Sequence, residues 1–259
     1  LTANQRIILL DALANGTADM LAEIATYATS VVATPKPFRK HLGPAIGLWA
    51  RGRRQHVAWT RHIARTNLLL GQTCADQPGH DTAVILGSGP LFDVPLKTIA
   101  KKFATVLLVD IAHLAPARRQ MRDFANVHPV WHDLSPAQNP DTLDFLHAIN
   151  GLDWVVSLNL ASQLAASVPE QNQRAVIDDH LDGLLALDCP VTLATDLNCT
   201  LTDKRGNLQQ SFDLLGTRAM PPAPHRWTWE VAPFGEDSRH WRRTHAMAFY
   251  PDWKAASSN

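Results

Sequence analysis

Between Asp81 and Leu96 the sequence reads DTAVILGSGPLFDVPL. An apolar run climbs into two glycines, Gly87 and Gly89, and the chain then turns amphipathic. That order predicts a buried strand, a tight turn and the start of a helix, since glycine tolerates backbone angles that other residues avoid. The free N–H groups of such a turn suit an anionic or adenosine-bearing ligand. The feature commits the chain to packed strand–turn–helix units and leaves the ligand open.

The rest of the chain repeats the unit. Short β-rich runs fall at 82–86, 105–109, 128–132, 153–158 and 190–195, and amphipathic helices are expected at 94–103, 115–124, 140–150 and 171–188. Strands separated by helices predict βαβ units and a parallel sheet covered on both faces. After the fifth strand the rhythm changes. LNCTLTDKRGNLQQSFDLL sets a turn at Asp203 to Asn207 between two extended runs, which reads as a small hairpin. HRWTWEVAPFGED and WRRTHAMAF then alternate apolar positions: Trp227, Trp229 and Val231, then His245, Met247 and Phe249. Their connection, PFGEDSRH, is too short for a crossover helix, so the pair should be antiparallel. The expected class is α/β: a seven-stranded, mostly parallel, doubly wound sheet with five parallel strands and an antiparallel C-terminal hairpin.

Ahead of the sheet, helical spacing of apolar residues predicts a helix over 2–33, a break at TPKPF, and a second helical region over about 44–70. This divides the chain into an N-terminal helical region, 1–75, acting as a lid or cap, and an α/β domain over 76–259. The 259 residues, 46% apolar and 19% charged, are enough for one large α/β domain with an accessory segment. Formal net charge is zero, which argues against a nucleic-acid binder held by bulk electrostatics. The charge is unevenly placed. Eight Lys or Arg and no acid lie between Lys36 and Arg65, and nine acids with one Arg lie between Asp133 and Asp188. Two complementary solvated faces, or a basic lid near an anionic ligand, would account for this.

Spacing downstream of the glycines narrows the ligand. VLLVD ends in Asp110, 23 residues after Gly87, at the tip of the second strand, where a carboxylate can accept both hydroxyls of a ribose. HPVWHDL sets Asp133 at the tip of the third strand. A dinucleotide motif would have glycine at Phe92, and a methyl-donor motif would have an acid at Ile85 and glycine at Leu91. The order VILGSGPL, VLLVD, HPVWHDL, DWVVSLNLASQL and final hairpin, about residues 80 to 250, resembles a class I S-adenosylmethionine (SAM)-dependent methyltransferase. The resemblance implies a Rossmann-like SAM-binding domain. It implies Gly87, Ser88 and Gly89 at the methionine part of the cofactor, Asp110 with Ile111 at the ribose, and Asp133 with Leu134 at the adenine. Asn159 completes the cofactor set, and Ser162 and Gln163 line the space toward the acceptor. Capping of the following helix by Ser157 or Asn159 is the structural alternative. The segment before the first strand often covers the active site in small-molecule methyltransferases, which makes Trp59 and His62, on one helical face, candidate acceptor contacts.

Other chemistries lack their signatures. Twelve histidines include no H-E-x-x-H, so no metal is expected; no G-x-S-x-G elbow and no G-K-[ST] are present. His180 lies on an apolar helical face and reads as a packed structural residue. Three cysteines without CxxC spacing point to a reducing compartment. No apolar run nears the ~18 residues of a membrane span, and no signal-peptide pattern is evident, so the expected location is cytoplasmic. Three readings remain: a methyltransferase acting on a small molecule, a non-catalytic module binding SAM or a protein partner, and an NAD-dependent oxidoreductase, which the terminal hairpin disfavours.

Overall fold

The computed structural model describes residues 19–135 and 143–258. Residues 19–33 are helical (α1); the earlier part of the helix expected over 2–33 lies outside the described residues. A 3-10 helix at Lys36–His41, opened by the prolines of TPKPF, leads into α2 (Leu42–Arg54) and α3 (His56–Asp76). The region expected as one helix over 44–70 is thus two. Gln55 breaks it, with φ −100° and ψ 22°. Its amide donates to Glu236 at 2.6 Å, while Arg51 and Arg54 pair with the same carboxylate at 3.4 and 2.8 Å. These contacts hold the break between α2 and α3.

The five expected parallel strands are β1 (Thr82–Leu86), β2 (Thr105–Asp110), β3 (Val127–Trp131), β4 (Leu152–Leu158) and β5 (Val191–Asp203). β6 (Leu208–Asp213) follows the tight turn, which Asp203 closes by accepting from the backbone N–H groups of Arg205 and Asn207 at 2.8 and 2.9 Å. β7 (His225–Ala232) and β8 (Trp241–Tyr250) form the antiparallel hairpin read from PFGEDSRH. The sheet runs β3-β2-β1-β4-β5-β8-β7, with β6 paired to β5 off this path. Seven strands therefore follow the expected plan, and β6 adds an eighth. β8 is antiparallel to both of its neighbours, so β7 runs in the direction of β1 to β5.

Helices cover both faces, as alternation along the buried strands requires. On one face α3, α4 (Leu96–Lys102) and α5 (Ala115–Met121) pack on Ile85, Leu108, Trp154 and Phe249. On the other, α6 (Ala161–Ala166), α7 (Glu170–Leu185) and α8 (Trp253–Ser257) pack on Val84, Val155, Leu193 and Tyr250. Within the stretch expected as a helix over 140–150, residues 140–142 lie outside the described residues and Asp144–Ala148 form a 3-10 helix. α2 joins neither layer. Its Leu42, Ile46 and Trp49 pack on Ala112 and Leu114 after β2, with Phe92 and Ile111 against them, so it covers the loops at the carboxyl ends of the strands.

Candidate functional site

The glycine turn joins β1 to the ends of β2 and β4. Gly87 has φ +75°, and a Cβ there would stand 2.6 Å from the carbonyl oxygen of Leu158 and 2.7 Å from Leu160, so only glycine fits. Leu91, at the third glycine position of a methyl-donor motif, has φ +64°. The backbone keeps the left-handed shape of a glycine although the residue is leucine, and the Leu91 side chain is buried in the core shared with α3 and α4. Asp110 fastens the turn to β2: one carboxylate oxygen accepts from Gly89 N–H at 2.7 Å and the other from Ala112 N–H at 3.0 Å. Each oxygen keeps a further lone pair.

Three buried polar atoms around this turn have no partner among the described residues: Oγ of Ser88, Oδ1 of Asn159 and Oδ1 of Asn67. The Asn67 amide nitrogen donates to Phe92 O at 3.2 Å, and that of Asn159 to Asp93 at 3.3 Å. Asn159 itself is held at φ +54°, its backbone N–H bonded to Ala194 O at 2.8 Å. Non-glycine residues at positive φ carry strain that concentrates at ligand sites. α6 begins after Leu160 with no side-chain cap, so neither Ser157 nor Asn159 serves as one.

The remaining sequence-selected residues divide. Ile111 lies beside Asp110 under α2. Asp133 turns back on its own loop, accepting from the N–H and hydroxyl of Ser135 at 2.9 and 2.6 Å, and Leu134 is buried in the opposite core. Gln163 is exposed. Ser162 donates to Asp196 at 2.5 Å, and the other oxygen of Asp196 lies 2.8 Å from Nδ1 of His245. Burial works against a charge on His245, but hydrogen bonds to Asp196 and Cys199 outweigh it and push its pKa up to about 9. This Ser162–Asp196–His245 chain was missed in the sequence, because Asp196 lies inside β5, beside an irregularity in its pairing with β8, and its partner comes from a strand added much later.

Trp59 and His62 are each 3% exposed. Trp59 donates to Val231 O at 3.1 Å and meets Trp229 edge-on at 4.9 Å. His62 stacks on Trp229 at 4.1 Å, accepts from the Trp227 indole at 3.1 Å and faces Asp93 at 3.7 Å. Both residues therefore tie α3 to β7, and the element over the strand ends is α2. His180, 2% exposed, is packed as expected, with Nε2 2.9 Å from Ser157 Oγ; burial pulls its pKa down to about 4.

A cavity of about 560 Å³ opens elsewhere, between β5, β6 and the segment before β7, lined by Leu197, Asn198, Arg218 and Met220. None of these lining residues belongs to the glycine turn. Among the described residues no cluster of His, Cys, Asp or Glu is arranged to hold a metal ion, and no helix is long and apolar enough to cross a membrane. All three cysteines are buried and free.

No family model and no curated protein matches the chain. Solved structures similar to it include the N-methyltransferase NodS from Bradyrhizobium japonicum in complex with S-adenosyl-L-homocysteine, at 12% identity over 73% of this chain and 87% of that one, TM-score 0.38. The DhpI–SAM–HEP complex is 13% identical over 83% of this chain and 99% of that one, TM-score 0.39. A SAM-dependent methyltransferase from Leishmania major is 17% identical over 79% and 82%, TM-score 0.39. At such identities and scores these likenesses carry no functional argument.

Proposed function

We propose that this protein is a SAM-dependent methyltransferase acting on a small-molecule acceptor. The observation that carries the reading is the convergence of the Gly87–Gly89 turn, the Asp110 carboxylate and two unpaired buried atoms, Ser88 Oγ and Asn159 Oδ1, at the carboxyl ends of β1, β2 and β4. Ligands of open α/β sheets bind in that crevice. Buried polar atoms left unpaired in the free protein cost about 1–3 kcal/mol each, which a bound ligand recovers.

The residues present fit SAM. Asp110 has lone pairs left for ribose hydroxyls, and the unpaired Ser88 and Asn159 atoms match the polar amino-acid end. When bound, the cofactor supplies an electrophilic methyl group. What remains for the protein is positioning, with water kept out. α2, lying over the loops after β1 and β2, supports the second of these roles. His245, with a pKa of about 9, holds its proton at neutral pH and orients the Asp196–Ser162 chain rather than serving as a base. The reading therefore favours an acceptor that is nucleophilic without proton abstraction.

A non-catalytic module with the same fold is favoured by one observation: Trp59 and His62, the candidate acceptor contacts, are consumed in packing against β7. Calorimetric titration with SAM, S-adenosylhomocysteine and NAD tests the reading. SAM and S-adenosylhomocysteine should bind and NAD should not; binding of NAD alone would sink it. Transfer of labelled methyl to a pool of small amines, thiols and phenols then separates enzyme from module.

A further inference from the structure

A second cluster of unpaired groups lies between α1, α5 and the edge strand β3. Arg118 of α5 is 9% exposed, yet among the described residues its Nε and Nη1 have no hydrogen-bond partner. Nη2 alone is engaged, donating to Thr29 O of α1 at 3.0 Å. No carboxylate among the described residues forms an ion pair with it. Burial, and after it the neighbouring guanidinium of Arg122, depress the pKa of Arg118, so the second positive charge aggravates the first.

Both arginines line a cavity of about 210 Å³ walled by Met121, Phe124, Pro129 and Trp131. The indole Nε1 of Trp131 is likewise buried without a partner. Guanidinium and indole nitrogens can only donate. Three orphaned donors and a surplus positive charge thus belong to residues lining one apolar-walled cavity. A buried charge without a counter-charge costs several kcal/mol. A guanidinium N–H is matched best by an oxyanion, since hydrogen bonds between charged groups are the strong ones. The volume is below the ~300–1,000 Å³ of sites that enclose drug-sized ligands, so the occupant is small or enters by its head.

We propose that this cavity binds a small oxyanion, a carboxylate or phosphoryl group, carried on a compact aromatic or aliphatic body. Arg118 and Trp131 would bond the anion, Arg122 would add charge at the mouth, and Met121 and Phe124 would take the body. None of these residues belongs to the glycine-turn site, so the proposal stands or falls independently of methyl transfer.

Calorimetric titration of the whole chain with benzoate, phenyl phosphate and the neutral isostere benzamide tests it. At least one acid should bind tenfold or more tightly than benzamide, and whichever acid is preferred identifies the source of the anion. Arg118→Met, which keeps length and removes charge, should abolish the preference while leaving SAM binding unchanged. Trp131→Phe, which removes the indole N–H but keeps a ring, should weaken the preferred acid about three- to tenfold and serves if the arginine variant fails to fold. Binding of benzamide equal to that of the acids, no binding of any probe, or unchanged affinity in both variants would overturn the proposal.

Discussion

Asp110 Oδ2 accepts the backbone N–H of Gly89 at 2.7 Å, so the residue offered to a ribose also fixes the turn beneath it. With the Ala112 bond at 3.0 Å, the carboxylate closes two loops before any ligand arrives. Binding and stability at this position are therefore coupled.

Asp110→Ala should weaken SAM binding tenfold or more, since charged hydrogen bonds contribute about 1.5–3 kcal/mol. It should also destabilise the free protein by about 1–3 kcal/mol through the two orphaned N–H groups, lowering the melting temperature by several degrees. Thermal melts with and without SAM measure both. A variant that melts like the parent and binds SAM equally well would remove Asp110 from the site.

Leu91 poses a contest between strain and burial. A left-handed leucine costs roughly 1–2 kcal/mol, which Leu91→Gly would relieve. Deleting a buried leucine side chain costs roughly 2–5 kcal/mol. Burial should win, leaving the glycine variant less stable by about 1–3 kcal/mol in urea unfolding. A more stable variant would mean that the missing glycine of the motif is a defect and not a packing choice.

The strands were legible because β1, β2 and β4 are buried apolar runs of the right length, and the short PFGEDSRH connection left one geometry for the final pair. The two halves of the basic helical region were not legible. Helical periodicity runs through Gln55 without a flaw, and what breaks it is a carboxylate from position 236. Of the helical region expected as a lid, α2 packs over the loops after β1 and β2, while Trp59 and His62 of α3 bond β7, a division that needs the partners' positions in space. Asp93 and Asp196 escaped notice, and His245 was read only as an alternating strand position, because each is ordinary where it stands and acquires a partner only from a distant segment.

Two histidines should shape the acid–base stability of the fold in opposite directions. His245 has its pKa raised from 6.5 to about 9, so the folded state holds a proton the unfolded state releases; this stabilisation is complete below pH 6.5 and is lost as pH rises toward 9. His180 has its pKa lowered to about 4, so the unfolded state takes up a proton first and stability falls as pH drops from 6.5 toward 4. Together they predict a maximum near pH 6.5 in these two contributions. His245→Gln should flatten the alkaline limb and His180→Asn the acid limb in urea midpoints measured across pH. An unchanged alkaline limb in His245→Gln would contradict the Asp196 pairing.

Glu236 joins Arg51, Arg54 and Gln55 while only 9% of its side chain is exposed. Glu236→Gln should loosen α2 without unfolding the sheet, because the side-chain partners of Glu236 lie in α2 and at its end. Hydrogen exchange should rise at least several-fold in residues 42–54 and stay unchanged in β1 and β4. High salt should reproduce part of the effect in the parent. Uniform exchange in both proteins would show that the apolar contacts to Ala112 and Leu114 hold α2 without the carboxylate.

The position of β8 has a consequence for how the chain is made. β5 and β7 leave the ribosome before β8, yet β8 is what lies between them in the sheet. Until it is synthesised, both strands present open hydrogen-bonding edges, and the nascent protein carries a slot that any other extended segment could fill. The final strand is thus the closing piece of the sheet, and a ribosome stalled before Trp241 would release a chain far more inclined to aggregate than its missing length suggests.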